Sequence, residues 1–83
     1  MITVRLPLAL QVGTRSTIVV AEPVRTLGDL VEALERRMPG FRDQLEDSVF
    51  NFAVNDEVVL YHARDRALAD GDVVELVPAI SGG

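Results

Sequence analysis

His62 is the only histidine among the 83 residues, so the chain cannot assemble a histidine pair for a metal or a His-based proton relay. It follows Tyr61 and precedes Arg64-Asp65 in a polar stretch, and it reads as a solvated surface residue. Ser16, Ser48 and Ser81 have no general base at a recognisable spacing. Asp70-Gly71-Asp72 sets two carboxylates around a glycine, but the further oxygen ligands and bidentate glutamate of a calcium loop are missing. That triplet reads as a tight turn. Gly13, Gly28, Gly40 and Gly71 occur singly, so there is no glycine-rich phosphate loop. With no cysteine, disulfides, thiolate metal sites and thiol nucleophiles are ruled out. The chain is not expected to be an autonomous enzyme.

One reactive group remains. The sequence finishes Val77-Pro78-Ala79-Ile80-Ser81-Gly82-Gly83. Glycine has no Cβ and adopts backbone conformations closed to other residues, so a diglycine end is narrow enough to thread a tunnel in another protein. The Gly83 carboxylate is then available to attack the α-phosphate of ATP. Sulfur would capture the resulting acyl-adenylate as a thiocarboxylate, and an amine would capture it as an amide. Ile80 gives the threading segment Ile80-Ser81-Gly82 an apolar anchor. Catalysis in this reading belongs to a partner and this chain is the carried substrate. It would bind no cofactor and no metal itself, the ATP being used by the activating partner.

The elements that must present this end follow from periodicity. Ile2, Val4 and Leu6 alternate with Thr3 and Arg5, a half-buried strand over 2–6. A second strand over 16–22 carries Thr17-Ile18-Val19-Val20 and pairs with the first as an antiparallel hairpin, with Gly13 at the turn. Pro23 stops it. Thr26 is placed to cap a helix, with Asp29 in its first turn. Leu27, Leu30, Val31, Leu34 and Met38 then recur every three or four residues, one amphipathic helix of about three turns. Glu32, Glu35, Arg36 and Arg37 form its solvated face, and Pro39-Gly40 closes it. Phe41 to Asp47 fits either a loop or a short helical turn with Phe41 and Leu45 inward. Phe50, Phe52 and Val54 mark a third strand, Asn55-Asp56 a turn, and Val58-Val59-Leu60 a fourth strand. Leu68 anchors the polar connection that follows, and a fifth strand runs from Val73 to Val77, ended by Pro78. The order β-β-α-β-β-β predicts an α+β domain with one main helix across one face of a mixed five-stranded sheet. With the first and last strands parallel at the centre, this resembles the ubiquitin-like β-grasp. Residues 1–78 form the domain and 79–83 a flexible tail.

That order, the stretch Ala69-Asp70-Gly71-Asp72-Val73-Val74-Glu75-Leu76-Val77-Pro78, the terminal Gly82-Gly83 and the strand-turn Val54-Asn55-Asp56-Glu57 together resemble the MoaD/ThiS family of sulfur carriers. The resemblance covers essentially the whole chain. It implies that an adenylating, ubiquitin-activating-like enzyme activates Gly83, which becomes a thiocarboxylate. Gly82 must pass the partner's tunnel. The sulfur then goes to an accepting enzyme such as the large subunit of molybdopterin synthase, in molybdenum cofactor biosynthesis. The Pro-Ala-x-x-Gly-Gly ending is at least as similar to that of carriers serving cysteine synthesis or tRNA thiolation, and thiamine synthesis is a further alternative.

If Val74 and Leu76 face the helix, Val73, Glu75 and Val77 point to the open sheet face, and with Pro78 they form a candidate docking patch beside the tail. Thirteen acidic residues against eight basic ones, all arginine, give a net charge of −5. That balance argues against a nucleic-acid binder and suits partners with basic rims. Neither an apolar run long enough for a membrane span nor a signal-peptide pattern is present, so a cytoplasmic location is expected. Two further readings stay open: a protein modifier forming amide bonds, which without lysine could not build lysine-linked chains on itself, and a non-covalent interaction domain.

Overall fold

The computed structural model describes residues 1–7, 16–47 and 50–78. Its elements are β1 (Ile2–Arg5), β2 (Thr17–Val20), α1 (Leu27–Arg37), α2 (Phe41–Asp47), β3 (Phe50–Val54), β4 (Glu57–Val59), a 3₁₀ turn (Ala63–Asp65) and β5 (Val73–Pro78). The five strands form one sheet in the order β2-β1-β5-β3-β4. β1 and β5 run parallel at its centre, and the other pairs are antiparallel. This is the mixed sheet with one main helix that the sequence pattern predicts.

α1 starts where Thr26 leaves the extended conformation. Its Oγ1 accepts the Asp29 N–H at 3.2 Å, while Asp29 Oδ2 accepts the Arg25 N–H at 3.1 Å. Two otherwise unpaired donors at the helix start are thereby satisfied. The helix buries Val31 and packs Leu27, Leu30, Ala33 and Leu34 with the inward residues of the sheet: Ile2 and Val4 of β1, Val20 of β2, Val54 of β3, and Val74 and Leu76 of β5. Arg36 and Arg37 close the helix near its negative end and both bond Glu22, which they hold below its ordinary pKa, Arg36 contributing most.

The structure settles residues 41–47 as a helix, and the reason lies upstream. Gly40 turns the chain at φ +97°, and Glu35 Oε2 then accepts the N–H groups of Gly40 and Phe41 at 2.8 and 3.2 Å. Glu35 is therefore not simply part of a solvated face. It caps the following helix. Seven residues would not hold a helix unaided, and Phe41, 2% exposed, supplies the packing.

Other boundaries shift modestly. β1 and β2 are shorter than the expected 2–6 and 16–22. β4 begins at Glu57 and excludes Leu60, which is 65% exposed and contributes nothing to the core. Asn55 and Asp56 both have positive φ, 50° and 71°, the pattern of a two-residue I′ hairpin whose twist matches its strands. Pro78 is the last residue of β5, paired with Phe50, not the first beyond it. A proline is tolerated at such a strand end, where a ladder N–H is dispensable. The expected hairpin turn around Gly13 lies outside the described residues.

Replacing Leu34, fully buried, with Ala should remove about 2–5 kcal/mol of stability. That is a large share of the roughly 4–12 kcal/mol expected for a domain of this size. Thr26→Ala should cost about 1 kcal/mol through the lost cap. Urea unfolding midpoints with unchanged slopes would establish both; a Leu34→Ala midpoint equal to wild type would contradict the packing described.

Candidate functional site

β5 is hydrogen-bonded on both sides, to β1 through Thr3, Val4 and Arg5 and to β3 from Val74 to Pro78. Its side chains alternate as the pattern requires. Val74 and Leu76 are buried at 0% and 4%, whereas Val73 and Glu75 are half-buried and Val77 is exposed. Cross-strand register sets their neighbours on the helix-free face. One row runs Thr17, Arg5, Glu75, Ala53 and Val58; a second runs Val19, Thr3 and Val73; a third pairs Val77 with Asn51. Val19, Val58 and Val77 are all exposed there, and Arg5 Nη1 lies 3.7 Å from Glu75 Oε1. Ala53 is buried although it belongs to this face, its methyl too short to clear Glu75 and Val58 on either side.

The expected docking residues Val73, Glu75 and Val77 thus share one open face, with Pro78 following at the end of the strand. Ile80, Ser81, Gly82 and Gly83, with Ala79, lie outside the described residues. β4 runs antiparallel to β3, so its end points toward the same side of the sheet as the end of β5. Leu60 and Tyr61 follow it at 65% and 81% exposure. Alternation within strands could not flag them, because they fall just past the ladder.

The start of β5 is held by a polar clasp. Asp72 Oδ2 accepts the Ala69 N–H at 2.8 Å and its Oδ1 accepts from Asn55 Nδ2 at 3.0 Å. Asn55 Oδ1 in turn accepts the Val73 N–H at 2.9 Å, and the Asn55 N–H donates to the Val73 carbonyl at 2.8 Å. These bonds, the Ala69 N–H first and Asn55 second, hold the Asp72 carboxyl below its ordinary pKa. Gly71 makes the turn at φ +91° and donates its N–H to the Met1 carbonyl at 2.7 Å. Asp70 pairs with the Met1 ammonium. Both carboxylates of the Asp70-Gly71-Asp72 triplet are therefore engaged within the protein, in keeping with a turn. From the sequence Asn55 is legible as a turn residue; its bonds to β5 are not.

No other chemistry gathers among the described residues. They contain no cluster of three or more His, Asp or Glu side chains placed to hold a metal, and no helix long and apolar enough to cross a membrane. His62 is exposed and left-handed at φ +51°. A depression of about 240 Å³ between Met1, Ile2, Ala21, Glu22, Pro23, Val24 and Asp70 sits at the end of the sheet opposite Pro78. It is smaller than a usual ligand site.

The ThiS family model matches residues 6–83. The chain belongs to the ThiS family. It is 33% identical over 91 residues to the sulfur carrier protein CysO of Mycobacterium tuberculosis, covering 99% of this chain and 98% of that one. The crystal structure of M. tuberculosis CysO superposes with a TM-score of 0.81 at 31% identity, over 96% of this chain and 100% of that one. A chain of the Amycolatopsis orientalis BexX/CysO complex gives 0.80 at 26% identity, both chains fully covered. The Helicobacter pylori complex of subunits 1 and 2 of molybdopterin-converting factor shares the fold, with a TM-score of 0.65 at 24% identity over 99% of this chain and 97% of that one. The chain is thus a ubiquitin-like sulfur carrier, of a family whose members are small carriers and not catalysts.

The clasp predicts a pH signature. A carboxylate whose folded pKa is depressed stabilises the fold above its unfolded value, about 3.9, and loses that contribution as pH falls through the folded value. Asp72→Asn removes the titration and turns an amide donor onto one of two donors the carboxylate accepts from. Wild type should therefore exceed D72N in urea stability at pH 6, and the gap should narrow between about pH 4 and pH 2. A pH-independent gap would assign the effect to something other than the Asp72 charge.

Proposed function

We infer that this protein carries sulfur as a thiocarboxylate on Gly83, formed after a partner adenylates the Gly83 carboxylate with ATP. The observation that carries the reading is the ThiS match running to Gly83 on a sheet whose central strand leads directly into the Gly-Gly tail. Gly82 and Ser81 pass the partner's tunnel and Ile80 anchors the segment. Val73, Glu75, Val77 and Pro78 dock the partner, the exposed valines supplying apolar contact and Glu75 a polar edge. The chain itself needs no bound cofactor for this role, and neither nucleic acid nor membrane enters it.

The full-length likeness to two CysO proteins at 26–33% identity favours delivery of the sulfur to cysteine synthesis over delivery to a molybdopterin synthase large subunit. Delivery in molybdenum cofactor biosynthesis is the second reading, favoured by the fold shared with molybdopterin-converting factor.

Incubation with ATP, an adenylating enzyme of the family and a sulfide source should raise the intact mass by the exchange of one oxygen for sulfur. Deleting Gly82 and Gly83 should abolish the exchange and leave the fold intact. No exchange with an enzyme that charges a CysO control would refute the reading. Presented to both acceptor enzymes, the charged protein should lose its sulfur to the cysteine-forming one; loss only to the molybdopterin enzyme would select the second reading. Val77→Asp should weaken binding to the adenylating enzyme by about tenfold or more with little change in urea stability.

A further inference from the structure

A sheet that does not close has two edges, and each presents unpaired main-chain N–H and C=O groups to any strand that approaches. Here the edges are β2 and β4. β4 has three residues, and its first side chain, Glu57, is charged, 69% exposed and bonded to Arg66. Short length and a charge both blunt an edge. β2 has no charge of its own: Thr17-Ile18-Val19-Val20 is β-branched throughout, a composition that favours strand pairing. The Ser16 carbonyl accepts the Leu6 N–H at 2.7 Å and so faces β1. Main-chain groups alternate in direction along an antiparallel strand. Those of Thr17 and Val19 therefore face away from β1, toward the open edge.

The guard for this edge comes from α1. Arg37 Nη1 donates to the Val19 carbonyl at 3.0 Å, and Arg37 Nε donates to Glu22 Oε1 at 3.3 Å. The guanidinium thus lies across the edge, its orientation fixed by two acceptors. Among the described residues no other arginine side chain bonds a main-chain carbonyl. Arg36, its neighbour, bonds Glu22 and no carbonyl. We propose that Arg37 closes the β2 edge against pairing with β2 of a second copy of this chain.

The occupant follows from the two edges. An antiparallel β2–β2 pair about a two-fold axis sets Thr17 of each copy opposite Val19 of the other. It uses the outward groups of both residues and closes after two chains. Joining β2 to β4 of another copy would meet the short, charged edge and would propagate without closing. The Val19 carbonyl that the β2–β2 pair requires is the one Arg37 holds. A charge-assisted bond is roughly twice as strong as the neutral N–H bond that would replace it. The guanidinium also occupies space that a neighbouring strand, about 4.8 Å from β2, would need. Without it the acceptor is free and the way to the strand is clear.

The test compares two substitutions of the full chain. Arg37→Met keeps an apolar stem and removes the donors. Arg36→Met makes the same change of charge one position away and leaves the bond to Val19 in place. The Arg37 side chain is 40% exposed and lies outside the core, so both variants should fold, which urea unfolding checks. Sedimentation velocity over a wide concentration range then measures association. R37M should form a discrete dimer with a dissociation constant at least about tenfold below that of wild type or R36M. In that dimer the Thr17 and Val19 amides should exchange with deuterium more slowly than in R36M. Equal association of R37M and R36M would overturn the proposal. A dimer with no slowing at Thr17 and Val19, or open-ended polymers in place of a dimer, would do the same. These outcomes are independent of any sulfur chemistry at Gly83.

Discussion

Parallel pairing of β1 with β5 is the constraint on which the rest of the structure depends. Two parallel neighbours cannot be joined by a tight turn, so the chain between them must leave the sheet and return. It does so by way of β2, α1, α2, β3 and β4. Placing the last strand between β1 and β3 leaves Val74 and Leu76 with no route to solvent, and the helix that covers them finds its apolar stripe already opposite. A strand bonded on both sides also leaves the sheet in a determined direction. Pro78, where β5 ends, is paired with Phe50 of β3.

The two ends of β5 are treated differently. Its start is tied down by the Asn55–Asp72 clasp, by the Gly71 bond to Met1 and by the Asp70 pair with the Met1 ammonium. Its end is bordered by exposed apolar residues: Val77 on the strand, with Leu60 and Tyr61 beyond β4. Polar satisfaction at one end and accessible apolar surface at the other suit a domain that fixes the start of β5 and leaves the surface at its end open. The net charge of −5 adds an electrostatic preference for basic surroundings at encounter.

How much was legible beforehand can be traced residue by residue. The α1 stripe, the Thr26 cap and the alternation of β1, β3 and β5 are local patterns with periods of 3.6 and 2, and a linear sequence displays them fully. The facing of Val73, Glu75 and Val77 follows from the same period once Val74 and Leu76 are assigned inward. Helix α2 was ambiguous because its cap, Glu35, belongs to another helix and reaches it through a turn at Gly40. The double use of Asn55, as a left-handed turn residue and as a bridge to Val73, was hidden because its partner is 18 positions away. Leu60 reads as part of β4 from its hydrophobicity, but a strand ends where its ladder ends, and the ladder stops at Val59.

By itself the sequence determined the Gly82-Gly83 composition of the C-terminal segment, the exclusion of thiol and paired-histidine chemistry, and the α+β class. These depend on residue identity and on short-range spacing, which need no third dimension. The tertiary structure decided which residues share a face with Val77, that Arg5 meets Glu75, and that Asp72 is an acceptor for Ala69 and Asn55. Such relations are set by strand order and register. They arise from burying one sheet face under α1, an energy that belongs to the whole chain and to no local stretch of it.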